Sequence, residues 1–276
     1  MTEVDREFAQ RLMAAHQARR PMPLFVDEKL PTLVRGYEVQ RAYVDLLLAP
    51  TEGSSNRARS RQIQGFKAAL TNVPAQQSMG LKAPTGGVLL SDCEYQAPCQ
   101  IRLADYCRPI IETEIGYRVS RVVTDPVTLE NLNDYIDFAL PMVEIADAGY
   151  ATPNALGRAL SGPDLVAANS AAGGYIVGHA DCQPLDTNEV EVTLRNGDKV
   201  LNHAHGHDAL GSQAAVLVWL INHSLAQGYD VLPGYYLMTG SLGRVQLATP
   251  GCYVADYSCN TGGIATRFGR IEFEIV

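Results

Sequence analysis

Two glutamates, Glu112 and Glu114, stand at alternate positions in the run IIETEIGYRV, residues 110–119. The run is otherwise mostly apolar and β-branched, so it is read as a strand, and side chains two apart on a strand point to the same side of a sheet. Two like charges on one face of a water-avoiding segment are costly unless something positive sits between them. A third carboxylate, Glu144, lies in LPMVEIADAGY, residues 140–150, an apolar and again strand-like run bounded by Pro141. Together the three supply hard oxygen ligands that suit Mg2+ or Mn2+, with positions left over for water or substrate. On a half-exposed strand the same residues would instead pair with Arg102, Arg108 or Arg118, and spacing alone leaves both arrangements open.

Two further stretches carry residues able to do chemistry. In NHAHGHD, residues 202–208, His203, His205 and His207 alternate and would suit a transition metal if the chain were extended. Gly206 and the helix-capping Asp208 favour a loop and a structural or surface role, with a substrate-contacting histidine as the alternative. In TGSLGR, residues 239–244, backbone amides and Ser241 would suit an anionic group, or the segment is a plain strand exit. Asn169 and Ser170 have the same two readings, whereas Trp219 falls in a helical apolar stripe and reads as core.

The chain that must position these residues has 276 of them, enough for one large domain or two smaller ones with a sizeable core. Apolar residues make up 46% and charged residues 19%, the balance of a globular protein. The formal net charge of -8 has no dense basic block to offset it, and NRARSR, residues 56–61, reads as a solvated loop; nucleic acid is an unexpected partner. The first twenty residues carry acids early and lack an apolar centre, so they read as no signal peptide. The longest apolar run, AAVLVWLI at 214–221, is too short to span a bilayer. No pair among the six cysteines has the two-residue gap of a zinc knuckle or redox motif; with no export signal they read as reduced thiols of a cytoplasmic protein.

Periodicity divides the chain into a helical N-terminal region, residues 1–80, and a β-rich domain, residues 81–276. Val4, Phe8, Leu12 and Ala15 mark a first helix, and a second starts at Thr32 with Val39, Tyr43, Leu46 and Leu47 on one side. APTEGSSNRARS, residues 49–60, reads as a polar loop, and GFKAALTN, residues 65–72, as a short strand. Short β-rich runs follow from residue 88, with RNGD as a hairpin turn. Two helices are expected among them. One opens at Asp125-Pro126 with a stripe of Leu129, Leu132, Ile136 and Ala139; the other runs from about Asp208 to Gln227, with Leu217, Leu220, Ile221 and Leu225 inward and Gly228 ending it.

The segments GFKAALTN, IIETEIGYRV, PMVEIADAGY, VAANSAAGGYIVG, ALGSQAAVLVWLINHSLAQG and LPGYYLMTGSLG, in this order, resemble the 2-keto-4-pentenoate hydratase and 4-oxalocrotonate decarboxylase group of the fumarylacetoacetate hydrolase superfamily. The resemblance runs from about residue 36 to the C-terminus. It implies a mixed α/β fold with a fumarylacetoacetate-hydrolase-like β-roll core behind a small helical N-terminal region, and a homo-oligomer. It implies Mg2+ or Mn2+ on Glu112, Glu114 and Glu144, an active-site Lys67, and substrate-side positions at Leu81, Asn169 and Ser241. The implied substrates are short 2-oxo or 2-hydroxydienoic acids from aromatic-ring breakdown. The implied reactions are water addition to a conjugated double bond or decarboxylation of a vinylogous 2-oxo acid, and a pathway decarboxylase or hydratase is an implied partner. A lysine beside a bound cation and partly desolvated is expected to have a lowered pKa, which suits proton transfer. The chain departs from the family pattern where an acidic residue often follows the YGxL segment: MGLKAPTGG has Lys82 there. Ala168 precedes Asn169 in place of an aspartate, Gly149 replaces an arginine, and Tyr235 replaces another aspartate. The implied identity is therefore a divergent member, with a changed substrate or reaction or as a partner subunit.

Overall fold

Capping and apolar spacing account for the first two helices of this computed structural model, which describes residues 2–25, 31–50, 61–151, 157–261 and 264–276. Helix α1 (Glu3–Gln17) starts where Thr2 and Asp5 cap one another, and it buries Phe8, Leu12 and Ala15 at helical spacing. Helix α2 (Leu33–Leu48) starts at Thr32, whose hydroxyl accepts from the Arg35 N–H, and it buries Val39, Tyr43 and Leu47. Arg35 reaches the buried Asp5 at 2.7 Å and ties the two helices together. Three more helices follow: α3 (Val73–Ser78), α4 (Gly162–Ala167) and α5 (Gln213–Ala226).

The strands are β1 (Ile63–Ala69), β2 (Thr85–Leu90), β3 (Glu94–Gln96), β4 (Cys99–Ile101), β5 (Pro109–Val119), β6 (Ile136–Asp147) and β7 (Gly174–Val177). They continue as β8 (His179–Ala180), β9 (Glu191–Asn196), β10 (Lys199–His205), β11 (Tyr236–Met238), β12 (Gln246–Leu247), β13 (Gly251–Thr261) and β14 (Ile264–Ile275). An eight-stranded sheet has the order β2-β1-β11-β5-β6-β7-β3, with β12 on β5. A six-stranded sheet has the order β10-β9-β13-β14-β4, with β8 on β14. Strand β1 lies inside the larger sheet, parallel to β11 and antiparallel to β2, so residues 63–69, within the region expected to be helical at 1–80, help build the core.

The larger sheet curls until its ends meet. The Tyr175 hydroxyl on β7 donates to the Leu90 carbonyl on β2 at 3.2 Å, across the width of the sheet. The concave face encloses a small apolar cluster that includes Leu89, Leu140, Met142, Tyr175 and Met238. Gly116 makes room for it, because a Cβ there would stand 2.1 Å from the Met142 sulfur. The convex face, with Phe66, Ile111, Ile115 and Val143, joins the main core beneath the helices and the second sheet.

The helix expected from Asp125 does not form. Residues 125–131 are irregular, a single 3₁₀ turn covers Leu132–Asp134, and Leu129 is exposed. Side chains take the hydrogen bonds a helix would have used: Asn222 clamps the N–H and C=O of Val127, and Asn131 accepts from the Thr128 N–H. Ile136 onward pairs with β5 over the length of that strand, and this ladder overrides the helical spacing. The last helix begins later than expected, at the cap Ser212, while Asp208 caps a separate 3₁₀ turn, Gly206–Asp208. Leu217, Leu220 and Ile221 are buried as expected and Gly228, φ 77°, ends the helix. His203 and His205 lie on β10, not in a loop. Cys93, Cys99, Cys107, Cys182 and Cys252 are free thiols. The loop expected at 49–60 falls largely on residues 51–60, outside the described residues.

Candidate metal centre

Strand register brings the three glutamates together. Glu112 on β5 stands directly opposite Glu144 on β6, and Glu114 follows two residues along the same face. One carboxylate oxygen from each lies within 4.8 Å of the other two. Lys67 enters from β1 and places its Nζ 2.7 and 2.5 Å from the two Glu144 oxygens. The site is deeply buried: Glu114 is 0% exposed, Glu144 1% and Lys67 2%, with Glu112 half-buried. The Gly240 N–H donates to Glu114 Oε2 at 2.8 Å. That contact needs a glycine, since Gly240 has φ 94° and a Cβ there would stand 2.4 Å from the Thr71 hydroxyl.

The charges do not balance. Burial raises the pKa of Glu112, Glu114 and Glu144, with Lys67 opposing it in each. Burial, with repulsion from Glu144 and Glu112, raises Glu114 well above the ordinary carboxylate range. Burial alone would lower Lys67, but Glu144, Glu112 and Glu114 outweigh it and hold the ammonium above the usual lysine value. The sequence-based expectation of a lowered lysine pKa presumes a cation beside it; facing carboxylates alone, Lys67 is firmly charged. Glu114 Oε1 is buried and has no hydrogen-bond partner among the described residues. Three carboxylates, one ammonium and an orphaned oxygen fit a hard divalent cation.

A strained turn supports Lys67. Asn169, Ser170 and Ala171 have φ of 56°, 51° and 60°, three successive non-glycine residues in the left-handed region. Asn169 holds the turn by accepting from the Val88 N–H at 2.8 Å and donating to the Val88 carbonyl at 2.9 Å. The Ser170 hydroxyl donates to the Gly86 carbonyl at 2.8 Å, and the Ser170 carbonyl accepts from Lys67 at 3.3 Å. Sequence reasoning left Asn169 and Ser170 as either anion-facing or plain structural residues, placed only Asn169 on the substrate side, and missed this backbone role. The enrichment of asparagine in left-handed turns is the one signal that pointed to it.

The other sequence candidates separate. Ser241 follows Gly240, and its hydroxyl is buried with no partner among the described residues. Leu81 packs against Gly162 at the start of α4. His203, His205 and His207 belong to the second sheet and the turn after it. A cavity of about 390 Å3, lined by His16, Arg20, Tyr43 and Leu90 among others, lies on the convex side of β2 and contains none of the four charged residues of the cluster.

No family model matches the chain. The 2-keto-4-pentenoate hydratase of Paraburkholderia xenovorans (strain LB400) is 28% identical over 217 residues, 78% of this chain and 77% of the relative. A 4-oxalocrotonate decarboxylase of Pseudomonas sp is 24% identical over 257 residues, 93% of this chain and 95% of the relative. The solved 4-oxalocrotonate decarboxylase from Pseudomonas putida G7, complexed with magnesium and adipate, superposes with a TM-score of 0.84 at 20% identity, covering 100% of this chain and 99% of that one. The chain is a homologue of these hydratases and decarboxylases. It has the fumarylacetoacetate-hydrolase-like fold, with the small helical N-terminal region in place. Among the described residues no helix is long and apolar enough to cross a membrane.

Proposed function

We propose that this chain is a metal-dependent lyase that adds water to a short 2-hydroxydienoate or 2-oxo-enoate in aromatic-compound breakdown. One observation carries the reading: among the described residues, two buried carboxylates and a half-buried third share one face with a single lysine, leaving a surplus of negative charge and one oxygen without a partner. Glu112, Glu114 and Glu144 would hold Mg2+ or Mn2+, and a bound ion supplies Lewis-acid stabilisation for negative charge developing on a 2-oxo oxygen. Lys67 carries the proton exchanged with the substrate carbon beside the keto group, and its burial keeps that proton from bulk water. The buried Ser241 hydroxyl is a ready donor to the substrate carboxylate. Leu81, packed against Gly162, is proposed to limit the substrate's length. Asn169, its side chain spent on Val88, acts as a positioning residue by fixing the Ser170 carbonyl that holds Lys67.

A second reading, decarboxylation of a vinylogous 2-oxo acid, is favoured by a specific observation. Past the cluster, the concave face continues into Met142, Met238 and Leu89, and Lys82 is exposed where the family often has an acid. Water addition needs a group to activate the water; loss of carbon dioxide does not. Purified protein with Mg2+ or Mn2+ should be given a panel of 2-hydroxydienoates and oxalocrotonate-like acids. The first reading expects a 4-hydroxy-2-oxo acid without carbon dioxide release. Carbon dioxide alone would establish the second, and no turnover of any acid with either ion would reject both.

A further inference from the structure

Alternation on β10 turns Asn202 and Ala204 inward and leaves His203 and His205 side by side on the outward face. His207, from the 3₁₀ turn that follows, stacks on His205 with ring centroids 5.1 Å apart, while the His203 and His205 rings are 5.6 Å apart. Two imidazoles sharing a tetrahedral ion at ring-nitrogen distances of about 2.0–2.1 Å have centroids about 5 Å apart. Each neighbouring pair of rings is therefore close to the separation that two ligands of one ion would have, and the ligating nitrogens have still to turn toward a common point. His203 and His207 are exposed and His205 is half-buried, so the rings have room to turn.

Two of the three Nδ1 atoms, those of His203 and His207, have a hydrogen-bond partner. His207 Nδ1 lies 3.2 Å from the Asn188 carbonyl, which can only accept, so the ring's proton sits on Nδ1 and Nε2 keeps its lone pair. His203 Nδ1 lies 3.1 Å from the Thr193 hydroxyl, and His205 Nδ1 is 4.0 Å from Glu191, directly opposite on β9. The Thr193 hydroxyl at His203 and the Glu191 carboxylate near His205 stand where the outer partners of metal-ligating histidines stand. We propose that His203, His205 and His207 form a second metal site, for a borderline divalent ion such as Zn2+, with Glu191 as the carboxylate behind His205. Binding needs His207 to turn about its Cβ–Cγ bond out of its near-parallel stack on His205, at 10°, and to give up the Asn188 contact as it does so. The nitrogen donor set separates this site from the all-oxygen set on the larger sheet.

The test is calorimetric titration of Zn2+ into protein already saturated with Mg2+. The wild-type chain should take up an additional Zn2+, and His203→Ala/His205→Ala should weaken that uptake by about 100-fold or more, with Mg2+ uptake and melting temperature unchanged. Glu191→Gln should weaken it by about 10-fold. In the wild-type chain, nitrogen NMR should show Zn2+ shifting the ring signals of three of the six histidines, a readout independent of whether the double variant folds or the carboxylates hold Mg2+. Equal Zn2+ uptake by a folded double variant, or ring signals that do not move, would overturn the proposal.

Discussion

Two buried carboxylate sites in this protein are built in opposite ways. Asp164, 1% exposed at the head of α4, accepts from the Phe25 N–H, the Ser161 N–H and hydroxyl, and both terminal nitrogens of Arg158. Burial works against its charge, but Arg158, Ser161 and Phe25 together hold its pKa below the ordinary aspartate value. Glu114 is as deeply buried, yet it has one backbone donor, two repelling neighbours and an oxygen with no partner among the described residues. Burial is common to both; the supply of donors differs. A carboxylate that serves the fold is saturated by the chain itself, whereas the Glu114 group is left short of positive charge, and the shortfall defines a place for a cation.

The largest effect expected from this contrast is on stability at Asp164. Asp164→Ala should cost about 3–5 kcal/mol in chemical unfolding, because it breaks a buried ion pair with Arg158 and removes the acceptor of Phe25 and Ser161, while leaving metal affinity unchanged. The sign with pH follows from the lowered pKa. The Asp164 contribution is fully present above the unfolded aspartate value near 3.8 and is lost as pH falls through the lower folded value, so the stability gap between wild type and variant should close only in strong acid. A gap that vanished near neutrality would break the contrast.

At the other site the effect is on chemistry. Lys67→Ala should slow deuterium exchange at the substrate C3 by about 100-fold or more, followed by NMR. Exchange at the wild-type rate would remove Lys67 from proton transfer and leave it a counter-ion for Glu144. The smallest effect sharpens the comparison most. In metal-free protein, Glu114→Gln should raise stability by about 1 kcal/mol, since a disfavoured charge is removed and the shape kept. A loss of several kcal/mol in the melting curve would mean that Glu114 is held as well as Asp164 is.

Much of this site was legible in the sequence because strands make it so. Period-two alternation puts Glu112 and Glu114 on one face, and an apolar run around Glu144 marks the neighbouring strand. The register that sets Glu112 opposite Glu144 was not readable, since it depends on the whole β5–β6 ladder. The same ladder explains the missed helix: Leu129, Leu132, Ile136 and Ala139 have helical spacing, but tertiary pairing claims the second half of that run. The two N-terminal helices were readable from local signals alone, in their caps and stripes. The 169–171 turn was not, because its three left-handed residues are held by Val88 and Gly86, far away in sequence.

The most direct test is calorimetric titration of Mg2+ and Mn2+ into the wild-type chain and Glu114→Ala in parallel. One ion per wild-type chain, with binding abolished in the folded variant, is the expected result. Equal affinity in both chains, or no uptake by the wild type, would contradict the account.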